Sequence, residues 1–162
     1  MPQDCPSHTP KSLLALQVLR DFGEVCIRAT GTSMLPAVWP GDLLVVQATP
    51  IELVRPGDLV LYTRQERWFV HRVVTATSSP SATSLSTRGD ALSEVDPPVS
   101  YDEMLGRVTV IRRAGRSIAP RLRPRAIPRW AGWLLYYADQ MNQRVRRRLL
   151  RVTRRHPDGV PA

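Results

Sequence analysis

Cysteine is almost missing from this 162-residue chain: Cys5 and Cys26 are the only two, 21 positions apart, with no CxxC pair. That scarcity, with no cluster of histidines nearby, argues against a disulfide framework and against a zinc site. No metal and no cofactor is expected, and Cys26, set in an apolar stretch, is expected as a core thiol. Lysine is scarcer still, since Lys11 is the only one among 23 basic residues. Glycine is outnumbered by proline, nine against fifteen, which favours turns and edges over long helices. Long hydrophobic runs are absent too. The best, Trp130 to Ala138, covers nine residues, about half of the 18 or so that would suggest a membrane span. The opening MPQDCPSHTPK has neither a basic n-region nor an apolar h-region, so no signal peptide is expected.

What is present is a globular composition, 43% hydrophobic and 23% charged, in a chain long enough for one domain with terminal decoration. The net charge of +9 is unevenly spread. Residues 1–110 hold 9 basic and 12 acidic side chains, whereas residues 111–162 hold 14 basic and 2 acidic. A near-neutral body therefore carries a basic tail, and the two need separate explanations.

Leu13, Leu14, Leu16, Leu19 and Phe22 form a helical stripe, with Ser12 as the N-cap and Gly23 near the end. From Val25 and Ile27 onward the character is that of strands. Leu43–Val46 reads as a buried strand, and the tripeptide Pro-Gly-Asp occurs twice, at 40–42 and 56–58, each time opening a β-rich run. Proline presets φ and glycine tolerates positive φ, so each is a tight turn feeding a strand. Gln65-Glu66-Arg67 makes a hairpin tip, and residues 68–75 return as a strand. Residues 76–83 read as a small-polar loop, 85–88 as a short extended piece, and 106–113 as an alternating strand. Beyond Ala114 the sheet character stops. The expectation is a mainly β body of about five or six short strands. Its divisions are an N-terminal helical segment 1–28, a β domain 29–114, a basic proline-rich linker 115–129 and a basic amphipathic C-terminal helix and tail 130–162.

Four short segments carry the chemistry: Gly31-Thr32-Ser33-Met34-Leu35-Pro36 with Pro40-Gly41-Asp42, Val70-His71-Arg72-Val73, Arg88-Gly89-Asp90 with Asp96, and Leu105-Gly106-Arg107-Val108. Singly each is generic, since a loop serine or a strand histidine is more often structural than reactive. Together and in this order they resemble the signal peptidase I family of serine proteases, over about residues 29–110. In that family a Ser-Met-x-Pro segment carries the nucleophile and a later strand carries the general base. The bacterial branch uses lysine there. His71-Arg72 is similar instead to the branch found in the endoplasmic reticulum, in archaea and in some spore-forming bacteria, which adds acidic residues in the downstream Gly-Asp segment.

The resemblance implies a β-rich fold of the signal peptidase and LexA type, with Ser33 as nucleophile and His71 as base. Asp96 or Asp90 would orient the histidine, the two being weighted evenly, with a structural role for Asp90 in its Gly-Asp turn as the alternative. The physics fits those roles. A serine hydroxyl needs a neighbouring base to take its proton, histidine titrates where that works at neutral pH, and a carboxylate beside the imidazole fixes its tautomer. The Ser33 N–H is the expected oxyanion donor, with Thr32 and Met34 as weak candidates for oxyanion or substrate contact. Asp42 and Asp58 are expected as turn residues, Arg72 as the partner of a nearby carboxylate, and Glu94, Asp102 and Glu103 as solvated charges.

The chain departs from the family at its anchor. The segment ahead of Ser33 contains Arg20, Asp21 and Glu24, and each charge at a helix centre costs roughly 2.5–3.5 kcal/mol on insertion. A soluble, cytoplasmic endopeptidase that cuts a specific protein or precursor peptide after small residues is the reading. The alternative is a non-catalytic binding or regulatory module that contacts its partner through the basic tail. That tail has three readings, in order: a helix packed on the body, an interfacial helix on an anionic membrane surface, and nucleic-acid binding through its arginines.

Overall fold

The computed structural model describes residues 10–78 and 83–124, and beyond them Leu134, Tyr137, Ala138 and Met141. Among the described residues a helix, α1 (Pro10–Phe22), precedes seven strands: β1 (Glu24–Arg28), β2 (Leu43–Gln47), β3 (Leu59–Arg64), β4 (Arg67–Ser78), β5 (Thr83–Arg88), β6 (Met104–Arg113) and β7 (Arg116–Ile118). Every pairing is antiparallel, in one sheet of order β1-β2-β6-β3-β4-β5, with β7 added to β6. The chain is mainly β. Among the described residues no helix is long and apolar enough to cross a membrane.

Helix α1 starts two residues ahead of Ser12, at Pro10, where a proline costs no hydrogen bond because a first-turn N–H has no helical partner. It ends at Gly23, whose N–H donates to the Leu19 carbonyl at 3.0 Å. Both Pro-Gly-Asp segments are built alike. Gly41 and Gly57 have φ of 98° and 100°, a conformation open to glycine and costly for other residues. In each, the aspartate carboxylate reaches back to the N–H three residues earlier, Asp42 to Trp39 at 2.8 Å and Asp58 to Arg55 at 3.0 Å. The turn is locked by its own side chain. The hairpin between β3 and β4 has Gln65 and Glu66 at positive φ, which matches the twist of the strands it joins, and Arg67 already belongs to β4.

Central β3 is buried on both faces from Leu59 to Tyr62, so its apolar run is continuous rather than alternating. Leu59 and Leu61 join a core with Leu19, Met34, Leu44, Val46 and Val108. Val60 and Tyr62 face a second core with Ile51, Val73, Leu85 and Val99.

Several expectations need correction. Cys26 is exposed, not a core thiol, because the alternation of β1 turns Val25 inward and the thiol outward. The sheet includes Glu24–Arg28 on one flank of the 29–114 segment and Arg116–Ile118 on the other, so it does not stop at Ala114. Of the loop expected over 76–83, residues 76–78 belong to β4 and Thr83 to β5, and residues 79–82 lie outside the described residues. Of the C-terminal helix expected over 130–162, only Leu134, Tyr137, Ala138 and Met141 fall within the described residues, and all four are helical and exposed.

Candidate active site

Strand β4 carries His71 opposite Val60 of β3, so the ring lies on the same face as Tyr62 and Phe69. The His71 side chain is 5% exposed, which shields it from bulk water and leaves its two nitrogens to protein partners. Nδ1 lies 2.6 Å from Asp96 Oδ2, and Nε2 lies 3.0 Å from Ser33 Oγ. A carboxylate can only accept, so Nδ1–H donates to Asp96 and the bare Nε2 accepts from the Ser33 hydroxyl. Asp96 is itself fixed: the Thr87 hydroxyl donates to Oδ2 at 2.7 Å, and the Asp96 N–H donates to the Thr87 carbonyl at 2.8 Å. Tyr62 completes the surround, with its hydroxyl 3.3 Å from Nδ1. Burial pushes the Tyr62 phenol up to about 12, the nearby Asp96 charge adding to the effect, so it stays neutral across the useful pH range.

The serine is carried by the 31–39 loop, which is tied down at several points. The Ala91 N–H donates to the Ser33 carbonyl at 2.8 Å. Trp39 Nε1 donates to the Pro36 carbonyl, and Arg113 Nη2 to that of Ala37, each at 3.0 Å. Arg113 is held in turn by a bidentate pair with Asp42. The Leu35–Pro36 peptide is cis. A side chain at Gly89 would meet the Ser33 carbonyl oxygen at 2.7 Å, so the Gly-Asp turn approaches the serine loop more closely than any other residue would allow.

Ser33, His71 and Asp96 are thus brought together, and Asp90 is not part of that group. Its carboxylate makes a bidentate pair with Arg72, at 2.8 and 2.7 Å, with both side chains buried. Arg72 also donates to the carbonyls of Gly57 and Arg121. The even weighting of the two aspartates therefore resolves in favour of Asp96, and Asp90 serves the turn that supports Ser33. Met34 is buried in the core, where it shapes the loop, and the half-buried Thr32 gives its carbonyl to the Leu35 N–H. Glu103 is no solvated charge: Arg64 grips it in a bidentate pair at 2.7 Å. That hydrogen-bonded guanidinium holds the Glu103 carboxyl below the usual carboxylate range.

Sequence reasoning missed Thr87 and Tyr62. Thr87 had a signal, since it alternates with Leu85 and so is a polar residue at an inward position of β5. Tyr62 reads as one more apolar residue in a buried strand, and nothing local singles it out.

A groove of about 440 Å³ opens beside Ser33, bounded by Ile27–Met34 along one wall and Arg67–His71 along the other. Each wall includes a strand edge, Ile27 and Arg28 of β1 on one side and Arg67–His71 of β4 on the other. Among the described residues β1 is paired only to β2, and β5 joins β4 only from Arg72 onward. Among the described residues no group of three or more His, Cys, Asp or Glu side chains is placed to hold a metal ion. No protein-family model matches the chain, and no curated protein matches it.

Proposed function

We propose that this chain is a serine endopeptidase of the signal peptidase type, on a fold of the signal peptidase and LexA kind. The observation that carries the reading is the line Ser33 Oγ, His71 Nε2, His71 Nδ1, Asp96 Oδ2, with both hydrogen-bond distances at 3.0 Å or less. In the proposed reaction, His71 Nε2 takes the hydroxyl proton as Oγ attacks the scissile carbonyl. Asp96 remains ionised and stabilises the imidazolium that forms. The Ser33 N–H, which donates to no backbone acceptor among the described residues, meets the oxyanion. The imidazolium then gives its proton to the leaving amine. Water, deprotonated by the same nitrogen, releases the acyl group from Ser33. The substrate enters as an extended segment, because two strand edges that are unpaired among the described residues flank the groove, and each offers main-chain hydrogen bonds to an added strand.

A fluorophosphonate probe tests this. Wild type should label at Ser33, and Ser33→Ala and His71→Ala should not, with unfolding temperatures close to wild type for Ser33→Ala. Absence of labelling in wild type, or undiminished labelling in His71→Ala, would refute the mechanism and favour a binding module on the same fold.

A peripheral contact with anionic membranes is a second proposal, favoured by the exposure of Leu134, Tyr137 and Met141, 58–66% each, at helical spacing just ahead of the arginine-rich stretch 144–155. Such a helix would lie at the interface, each arginine adding about 1 kcal/mol near an anionic surface. Binding to phosphatidylserine vesicles but not phosphatidylcholine ones, weakened by salt and abolished by deleting residues 126–162, is the expected result. Indifference to anionic vesicles at low salt would remove the proposal.

A further inference from the structure

The groove beside Ser33 is lined mostly by apolar side chains, with Thr30, Thr32, Ser33 and His71 as its uncharged polar ones. Arg28, on the β1 wall, and Arg67, at the start of β4, are the charged side chains of its lining. Both are exposed. Asp96 lies behind the His71 ring, its Oδ2 already engaged by Thr87 and His71. The two arginines differ from those that serve the fold. Arg64, Arg72, Arg107 and Arg113 are matched to Glu103, Asp90, Asp58 and Asp42. Arg28 instead rests one nitrogen on the Gly41 carbonyl at 3.0 Å, and Arg67 lies 5.7 Å over the face of the Phe69 ring. A guanidinium has five donors in a planar fork, so these contacts steer each side chain while leaving capacity for a carboxylate.

From this we infer that the groove selects an acidic peptide, a choice that rests on the peptidase reading of the same site. A peptide laid along it would place the Arg67 fork about four residues from the scissile bond. Arg67 and His71 are that far apart on one strand, and an extended chain rises about 3.3 Å per residue. Glutamate or aspartate at such positions would meet a fork from either wall, whereas lysine or arginine there would be repelled. The apolar side chains of the lining lower the local dielectric and lengthen the reach of both charges. The acidic residues stand away from the bond that is cut, so the requirement for a small residue next to it is untouched.

Binding to Ser33→Ala protein, which cannot cleave, tests this apart from catalysis. Three fluorescent ten-residue peptides share an Ala-rich centre and carry, four residues to either side of it, two Glu, two Gln or two Lys. With each charge contact worth up to a few-fold in affinity at an exposed site, the Glu peptide should bind roughly tenfold more tightly than the Gln peptide at low salt. The Lys peptide should bind most weakly. The gap should close at high salt, where charges are screened within a few ångströms, and in Arg28→Gln/Arg67→Gln protein of unchanged unfolding temperature. Equal affinities for the three, a preference for Lys, a gap that survives the double substitution, or binding of none would each overturn the inference. Tight, charge-selective binding together with failure of the wild-type protein to cleave the Glu peptide or label with fluorophosphonate would leave the inference standing and refute the peptidase.

Discussion

Replacing Gly89 by alanine should damage the site more than the fold. The added Cβ would stand 2.7 Å from the Ser33 carbonyl oxygen and 3.0 Å from two atoms of Leu92. An ordinary carbon–oxygen contact is about 3.3 Å or longer, so the serine loop or the turn must give by about half an ångström. Leu92 can turn aside, but the carbonyl oxygen is main chain and is already held by the Ala91 N–H at 2.8 Å. Overpacking of this kind costs about 1–3 kcal/mol. Alanine recovers about 0.4–1 kcal/mol by stiffening the unfolded chain, for a net loss of about 1–2 kcal/mol. In a protein of this size that lowers the unfolding midpoint by about 2–8 °C. The reactive geometry is less forgiving: an error of about 1 Å can cost about a hundredfold in rate, so half of that should slow acylation by about tenfold. Differential scanning calorimetry reads the first number and the rate of fluorophosphonate labelling the second. Gly31→Ala is the control for stability, because a Cβ there meets nothing within 4 Å. A Gly89→Ala protein that unfolds with wild type and labels at the wild-type rate would show that the Gly-Asp turn does not set the position of Ser33.

Other perturbations separate the roles of the carboxylates. Asp96→Asn should fold and lose about 10³–10⁴-fold in labelling rate, because an amide that donates to Nδ1 forces the proton onto Nε2, where it blocks the serine; a loss under tenfold would exclude Asp96 as the orienting acid. Asp90→Ala should instead destabilise by about 3 kcal/mol or more in urea, since it strands the buried Arg72 guanidinium. A mild change in that midpoint would contradict the burial of the pair. Arg64 holds Glu103 ionised below its ordinary pKa, so their pairing stabilises the fold above the unfolded carboxylate value and is lost as pH falls through the lowered one. Arg64→Ala should therefore flatten the acid limb of a urea-midpoint profile measured between about pH 6 and pH 2.5; parallel profiles would mean the pair contributes nothing.

Local chemistry alone determined much of this protein. Proline followed by glycine and aspartate made two turns, because each of the three residue types acts on its own backbone or on one three positions away. The Gln65-Glu66 tip and the apolar run of β3 were legible for the same reason. Arg72, too, was expected to find a carboxylate, as it does. Period-two alternation even held the answer for Cys26: between inward Val25 and half-buried Ile27 it must point out, and the apolar character of its neighbours concealed that. The short strand Arg116–Ile118 left no such trace, being exposed at every position and held only by pairing with β6.

What tertiary structure alone decided is which distant groups meet. Asp90 and Asp96 sit six residues apart in one irregular segment, and no spacing rule says which faces the histidine. The choice followed from the turn at Gly89, which swings Asp90 to Arg72, and from the return of the chain to Thr87, which delivers Asp96 to Nδ1. Glu103 looked solvated because its partner, Arg64, is 39 positions away. Ser33 and His71, 38 positions apart, share a hydrogen bond only because the sheet stacks β4 beside β3 and the Gly-Asp turn pins the serine loop against it. The sequence supplied the candidate groups of the site, and long-range packing set the distances between them, since no periodicity along a chain encodes the separation of two of its remote points.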